Sequence, residues 1–414
     1  MLVLVPYNLS QSITYKIIGT YQCRAIAAIA LGDPELYEIV DIPLEGRFTE
    51  LAIGSIDLYL RVAPTMGRDL YEETSKVGFT FSIPHIYGGV AFGGNEFFVQ
   101  CADDLNTQGD CSDLQVCAAT GTIHASVVGL ILPNANILHV SAGEIPGVFG
   151  EGRCNVIISN NWDLALVLIG DAMFGPGQTI GNILQRESLG IATRDDDTHW
   201  SDVVNWTIQS LIKAEAQGIT QSTAQNFVAA SNFGSGSEFV FQNAIAAVGN
   251  YGELYERHYE WFLPRDAANL INVKGTTGLL RTPLFDGMSD SGPEPVAGGE
   301  LEAITRNGHL TCGITDQRHG FAEFNSTTGR WSGLDVDYCR ALASSLFFGR
   351  VTDETLIFRQ FDRPEEGHSA LANSTVDVLC GQRVILGGDM VPDANATGKG
   401  LTFSLPYFYE APDR

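Results

Sequence analysis

Two kinds of hydrophobic pattern follow one another along this chain of 414 residues. Short apolar runs, such as 38–42 and 56–60, predict strands, and longer stretches with apolar residues three and four positions apart predict helices. The clearest helix covers 200–216, and its apolar face consists of Trp200, Val203, Val204, Ile208, Leu211 and Ile212. Because strands and helices alternate, the pattern predicts an α/β fold with a largely parallel sheet.

Further elements extend the same alternation towards the C-terminus. Apolar runs at 113–117 and 154–158 predict strands, and the small-residue turn 120–122 precedes a predicted helix. The segment 286–299 is rich in Gly, Pro, Ser and Asp, which predicts a linker. A new strand is predicted at 310–314, immediately beyond that linker.

Parts of the sequence occur twice. Cys-Arg-Ala at 23–25 recurs at 339–341, and Phe-Ser-Ile-Pro at 81–84 recurs as Phe-Ser-Leu-Pro at 403–406. The interval of about 320 residues is too long for a solenoid and indicates a tandem of whole domains. We therefore expect the chain to begin inside one copy and to end inside the next.

Composition and charge exclude several classes of function. The formal net charge is −25, so phosphate backbones and anionic membrane surfaces are repelled and neither is an expected partner. Apolar runs fall short of the roughly 20 residues that a membrane helix needs, and no signal peptide is visible. Common nucleophile, Walker and zinc-protease motifs are absent, which predicts a protein without catalytic residues or a cofactor.

Cysteines and glycosylation motifs favour an exported, oxidising compartment. Eight cysteines without a C-x-x-C pair indicate disulfides rather than a metal site, with free buried thiols as the alternative. Asn-x-Ser/Thr motifs, which are candidate glycosylation sites, occur at Asn8, Asn205, Asn325, Asn373 and Asn395.

Longer motifs carry a specific resemblance. They are Cys-Arg-Ala-Ile-Ala-Ala at 23–28, Thr-Met-Gly-Arg-Asp at 65–69, Gly-Arg-Cys at 152–154, Trp-Ser-Asp-Val-Val-Asn-Trp at 200–206 and Val-Gly-Asn-Tyr-Gly-Glu at 248–253. In this order they resemble the periplasmic solute-binding proteins of polar amino-acid ABC transporters, in particular the general L-amino-acid-binding branch. The resemblance implies a type II fold, in which two α/β lobes hold the ligand between them.

The resemblance also implies a division of the chain. Lobe I would comprise 1–98 and 245–285, lobe II would comprise 99–244, and 286–299 would be the linker. Residues 300–414 would form a partial second copy that contains lobe I alone. The family's first strand corresponds to 308–316, whereas the first copy has only the short apolar run 2–5 at that place, so a missing central strand is expected.

A set of candidate ligand residues follows from the resemblance: Arg68, Thr65, Thr122 and Asn160. Arg68 would pair with the carboxylate of an amino acid, assisted by Thr122. Asn160 stands where the family has an Asp for the ammonium, and Ala63 stands where it has Ser or Thr, so a degenerate site is expected. In the second copy Gly388 aligns with Arg68, which predicts that this copy binds no amino acid.

Each of these residues also has a purely structural alternative. Arg68 would then form an ion pair with the adjacent Asp69, Thr122 would belong to a turn or a helix N-cap, and Asn160 would close a loop. The candidate disulfides under the implied fold are Cys101–Cys111, Cys117–Cys154 and Cys312–Cys339, which leaves Cys23 and Cys380 unassigned.

Two functions are consistent with these observations. The first is a secreted or periplasmic receptor that binds an amino acid or another small polar solute. The second is a structural subunit of a glycosylated extracellular filament or array, in which neighbouring copies assemble head to tail and ligand binding is lost.

Overall fold

A computed structural model describes residues 2–5, 13–40, 42–72, 74–170, 178–229, 238–260, 265, 299–315, 319–380, 402 and 404. The chain divides into two compact units, Met1–Gly292 and Pro293–Arg414. This division falls inside the predicted linker 286–299. The first unit contains the two predicted lobes.

Lobe I begins with a parallel sheet and the helices between its strands. These elements are β1 (Leu2–Val5), α1 (Ile13–Leu31), β2 (Tyr37–Ile39), α2 (Arg47–Ala52), β3 (Leu58–Val62), α3 (Met66–Leu70) and β4 (Phe79–Phe81). β1 lies between β2 and β3 and is parallel to both, with Leu4 opposite Leu58. The expectation of a missing first strand is therefore wrong, because the four residues of β1 pair with both neighbours.

Lobe II is a second α/β layer built around a long first strand. Its elements are β5 (Ile86–Asn95), α4 (Glu96–Asp103), β6 (Gln115–Ala119), α5 (Ile123–Ile131), β7 (Asn136–Val140), α6 (Ile145–Gly150), β8 (Val156–Asn160), α7 (Asn161–Gly170) and β9 (Gln178–Ile180). β6 is parallel to β7 and β8, and β8 is antiparallel to β5. The predicted strands 113–117 and 154–158 thus form, each displaced by two residues.

The remaining elements of the first unit return the chain to lobe I. They are β10 (Gln185–Arg194), α8 (Thr198–Ala216), α9 (Val240–Val248) and α10 (Tyr251–His258). Positions 185–189 of β10 pair with β5, whereas 190–194 pair with β3 and β4. α8 and α9 then pack against α1. The chain thus re-enters the sheet of lobe I near residue 190, ahead of the boundary predicted at 244.

Small residues allow α1 to lie at the centre of lobe I. Ala25, Ala27 and Ala28 are buried together with Ile26 and Ile29, so the helix has apolar contacts on several sides. A helix that is apolar all round is one that other elements surround, and α1 indeed contacts β1, β2, α8, α9 and α10. In lobe II the core lies between the sheet and its helices; its centre includes Val90, Phe92, Val116, Ala118, Val128, Val156 and Ile158.

The second unit contains its own small parallel sheet. Its elements are α11 (Glu300–Asn307), β11 (Leu310–Ile314), β12 (Glu323–Asn325), β13 (Arg330–Ser332), α12 (Leu334–Leu346), β14 (Leu356–Gln360), α13 (Pro364–Ala372) and β15 (Val378–Cys380). β11 lies between β14 and β15, as β1 lies between β2 and β3. Strand order and register therefore agree with the repeat, although a second copy as such stays a prediction.

All eight cysteines lie in the described part of the chain, and the structure joins each of the three candidate pairs: Cys101–Cys111, Cys117–Cys154 and Cys312–Cys339. Cys23 and Cys380 form no disulfide. The register explains the difference at Cys23, because Cys312 is opposite Val378 whereas Leu4 is opposite Leu58. Leu4 thus occupies the position of Cys312, and α1 has no cysteine on the first strand to bond.

Three of the five glycosylation motifs are in described segments. The side-chain oxygen of Asn205 accepts a hydrogen bond from the backbone N–H of Ile83 at 2.9 Å, within lobe I. That bond orients the amide group of Asn205 within lobe I. Asn325 and Asn373 are exposed, whereas Asn8 and Asn395 lie outside the described residues.

Helices in the described segments lack the combination of length and apolar composition that a membrane crossing requires.

A buried imidazole in lobe I makes stability depend on pH. Burial lowers the pKa of His85 from 6.5 to about 4, so the folded protein holds the ring neutral. The unfolded chain takes up the proton first as pH falls, so this contribution is complete above about pH 6.5 and is lost towards pH 4. Between pH 7.5 and pH 5 we expect a loss of about 2 kcal/mol, which His85→Gln abolishes. Urea unfolding at both pH values measures it.

Asp202 titrates in the opposite sense, so the wild type must be compared with His85→Gln. Burial raises the pKa of its carboxyl to about 6, so its contribution to stability rises as pH falls, opposite to that of His85. Asp202 is present in both proteins and cancels in their comparison. Equal pH dependence of the wild type and His85→Gln would contradict the assignment.

Candidate functional site

A small cleft lies between the lobes of the first unit, beside the strand β10 that joins them. Residues from both lobes line it. Lobe I contributes Arg47, Tyr59, Arg61, Val62, Ala63 and Arg68, and lobe II with its part of β10 contributes Thr122, Ile123, His124, Asn160, Glu187 and Leu189. Three of the four residues predicted to bind ligand are thus brought together, although their sequence positions span more than ninety residues.

Arg68 is held in place by the loop before α3. Its Nη1 donates a hydrogen bond to the carbonyl oxygen of Ala63 at 2.8 Å, and its backbone N–H donates to Thr65 Oγ1 at 3.2 Å. Thr65 is therefore the N-cap of α3 and does not line the cleft. Ala63, which lacks the hydroxyl that the family places there, contributes its backbone carbonyl instead.

The guanidinium of Arg68 lies over the ring of Phe48, 5.3 Å from its centroid. Asp69 is exposed, and its ion pair with Arg68 stays a prediction. The side chain of Arg68 is thereby directed along the cleft wall.

Arg47, which was not among the predicted ligand residues, is a second guanidinium in the same wall. It is buried, and its Nη2 donates to the carbonyl oxygen of Gly121 in lobe II at 2.9 Å. Within the described residues its Nε and Nη1 have no hydrogen-bond partner. Its guanidinium carbon lies 5.0 Å from the centroid of Phe48 and 5.6 Å from that of Tyr59.

Arg61 is the third guanidinium and comes from inside β3. Its φ of 55° lies in the left-handed region, which costs a residue with a side chain about 1 kcal/mol or more. Its guanidinium carbon lies 5.4 Å from the ring centroid of Trp162, in α7 of lobe II. Arg47 and Arg61 therefore both contact lobe II from lobe I. In the sequence, Arg61 is the single charged residue in the apolar run of β3, and such a residue is a candidate for a buried, functional charge.

Lobe II faces these cations with the start of a helix. Thr122 stands at the N-cap position of α5, but its hydroxyl donates to the carbonyl oxygen of Ala119 at 2.7 Å and does not cap the helix. The first turn of α5, including Ile123 and His124, borders the cleft. The N–H groups and the dipole at such a helix start favour a negatively charged ligand group.

Hydrogen-bond acceptors occupy a separate part of the lobe II wall. Asn160, at the end of β8, is buried, and its Oδ1 has no partner in the described portion of the structure. Glu187 on β10 is also buried, and its carboxylate lies 3.8 Å from Nε2 of His124. Asn160, for which the structural alternative was the closing of a loop, is the last residue of β8 and pairs with Val90 within the sheet.

Glu187 and His124 were likewise not among the predicted ligand residues. In the alternation of β10, Glu187 shares a face with Leu189 and Ile191, both buried. A carboxylate in that series is a sign of a buried charge, and buried charges need a partner. The cleft consequently has cations on one wall and carboxylate and amide acceptors on the other.

Comparisons with known proteins agree with this architecture. No family model matches the chain. The general L-amino acid-binding periplasmic protein AapJ of Rhizobium johnstonii is 27% identical over 281 residues, which cover 62% of this chain and 79% of AapJ. The glutamate/glutamine/aspartate/asparagine-binding protein BztA of Rhodobacter capsulatus is 27% identical over 303 residues, which cover 64% of this chain and 85% of BztA.

One solved structure establishes the likeness in fold. It is the ABC transporter periplasmic binding protein from Brucella ovis with glutathione bound, 24% identical, with a TM-score of 0.54. The match covers 64% of this chain and 89% of that protein. The chain is therefore a relative of the periplasmic amino-acid-binding proteins of ABC transporters and has their bilobed type II fold.

Proposed function

We propose that the first unit is a receptor module that binds an amino acid in the cleft between its lobes. The observation that carries this proposal is the division of charge across the cleft, with guanidiniums on the lobe I wall and buried acceptors on the lobe II wall. An amino acid is a zwitterion, so its carboxylate and ammonium match the two walls. Closure removes water from these groups, and each buried charge then needs its counterpart.

Arg68 and the start of α5 are the proposed carboxylate site. A guanidinium presents two parallel N–H donors to a carboxylate, which is the strongest planar pairing available to a side chain. The hydrogen bond from Nη1 to Ala63 orients the fork before ligand arrives. Thr122 and the N–H groups of the first turn of α5 reach the same ligand group from lobe II.

Glu187 and Asn160 are the proposed ammonium site. The family's Asp is absent at position 160, from which the sequence analysis expected a degenerate site. Glu187 supplies a carboxylate on the same wall, and Asn160 Oδ1 supplies a second acceptor. In this arrangement the negative charge has moved from the end of β8 to β10.

The relatives support this function and its setting. AapJ and BztA are named as amino-acid-binding proteins, and AapJ as a periplasmic one. Glutathione, the ligand in the Brucella ovis structure, likewise carries an ammonium and carboxylates. We therefore infer that this chain binds its ligand in the periplasm or outside the cell, as a receptor without catalytic activity.

One argument for the filament hypothesis no longer holds. It was that lobe I lacks its first strand and takes one from the next molecule, but β1 already lies between β2 and β3. The remaining observations do not favour assembly over ligand binding.

Removal of the Arg68 fork tests the carboxylate site. We expect Arg68→Ala to weaken binding about 100-fold or more, since a charged bidentate contact is lost, and Arg68→Lys to weaken it about 10-fold, since the charge remains without the fork. Thermal shift with the twenty L-amino acids selects the ligand, and isothermal titration calorimetry measures Kd. Arg153→Ala, on the exposed surface of lobe II, is the matched control. Unchanged affinity in Arg68→Ala would refute the site.

Glu187→Gln tests the ammonium site without a change of shape. The wild type should prefer an amino acid to the 2-oxo acid with the same side chain by about 100-fold, because only the former brings an ammonium to Glu187. In Glu187→Gln we expect this preference to fall to about 10-fold or less, with Asn160 as the remaining acceptor. Calorimetry with both ligands measures the ratio. If the ratio stays at its wild-type value, Glu187 does not bind the ammonium.

A further inference from the structure

Arg47 has donors that nothing in the described structure uses. Its side chain is only 4% exposed, and neither Nε nor Nη1 has a hydrogen-bond partner there. Its Nη2 donates to the carbonyl oxygen of Gly121, its guanidinium carbon lies 5.6 Å from the ring centroid of Tyr59, and it forms no ion pair with a carboxylate among the described residues. A buried cation in this state is costly, which indicates that an anion completes the site.

That anion is distinct from the one assigned to Arg68. Both guanidiniums contact the ring of Phe48, with Arg47 at 5.0 Å and Arg68 at 5.3 Å from its centroid. The two guanidiniums therefore lie around one ring on the same wall of the cleft. A carboxylate that accepts the bidentate fork of Arg68 keeps few acceptor positions for a second fork, so a second anionic group matches Arg47 better.

Charge in the cleft points the same way. Its lining carries the guanidiniums of Arg47, Arg61 and Arg68 but a single carboxylate, that of Glu187. An amino acid with a neutral side chain adds no net charge, whereas one with a second carboxylate adds a negative charge next to the guanidiniums. A ligand with a second carboxylate thus brings a negative charge to Arg47, whose Nε and Nη1 have no partner among the described residues.

We propose that Arg47 forms a second anion subsite, so that the cleft selects an α-amino acid that carries a second carboxylate over its uncharged analogue. This inference rests on the proposed function and adds the ligand class to it. The second carboxylate accepts hydrogen bonds from Nε and Nη1, which leaves Nη2 on Gly121. The same side chain then links the ligand to the turn of lobe II, so the second carboxylate also stabilises the closed cleft.

Pairs of ligands that differ only in this carboxylate test the proposal on the full chain. Calorimetry compares L-glutamate with L-glutamine and L-aspartate with L-asparagine. We expect the wild type to bind at least one acid about 30-fold or more tightly than its amide. Glutathione is a further probe, because tighter binding of glutathione than of either acid identifies a γ-glutamyl peptide as the source of the two carboxylates. Equal or tighter binding of both amides, with no binding of glutathione, overturns the proposal.

Variants of Arg47 test whether this residue causes the preference for the acid over the amide. Arg47→Gln should reduce the acid-to-amide ratio to about 3-fold or less, by weakening the acid and leaving the amide nearly unchanged, and Arg47→Lys should retain part of the ratio. Equal weakening of acid and amide in Arg47→Gln would assign Arg47 a structural role instead. Thermal unfolding without ligand checks that the variants fold, and the wild-type ratio tests the ligand class even if they do not.

The results also separate this inference from the proposed function. If an amide binds, Arg68→Ala abolishes its binding and the acid binds no more tightly, the receptor function stands and the second subsite is refuted. If no amino acid and no glutathione bind to the wild type, both are refuted together.

Discussion

The pairing of β10 with two sheets is the interaction on which the rest of the first unit depends. Its first half completes the sheet of lobe II by pairing with β5, and its second half pairs with β3 and β4 in lobe I. One strand therefore determines how the two lobes face each other and where the cleft opens. Glu187 lies on β10 shortly before the point where this strand passes from the sheet of lobe II to that of lobe I, and Arg61 lies on β3, with which β10 then pairs. The same pairing therefore brings opposite charges to one cleft.

Electrostatics accounts for the other features of the cleft. Arg47 and Arg61 are nearly inaccessible to water, and both extend from lobe I to contact lobe II. Such charges are unfavourable inside a protein unless they meet a partner. The strained backbone at Arg61 is consistent with this, because outliers of that kind persist where the surrounding structure holds a residue for a binding role. A protein of net charge −25 has thus concentrated cations in one place.

The two units show how one topology accommodates different chemistry. In the second unit Cys312 on the central strand bonds Cys339 on the following helix, whereas Leu4 and Cys23 stand at the corresponding positions of the first. Cys23 is fully buried, and burial raises the pKa of its thiol well above the usual value, so it behaves as an apolar core residue. At this place the first unit therefore lacks the covalent link of the second.

Local signals in the sequence sufficed for the elements, the type of fold and part of the cleft. Strand and helix patterns depend on neighbouring residues, so α8, β3 and β11 were predicted close to their observed bounds. Arg68, Thr122 and Asn160 were found because they lie in recognisable motifs. The role of β1, the return to lobe I near residue 190, and the presence of Arg47 and Glu187 in the cleft were decided by tertiary structure. Each depends on pairing or burial between segments far apart in the chain, which the hydrophobic period of one segment does not encode.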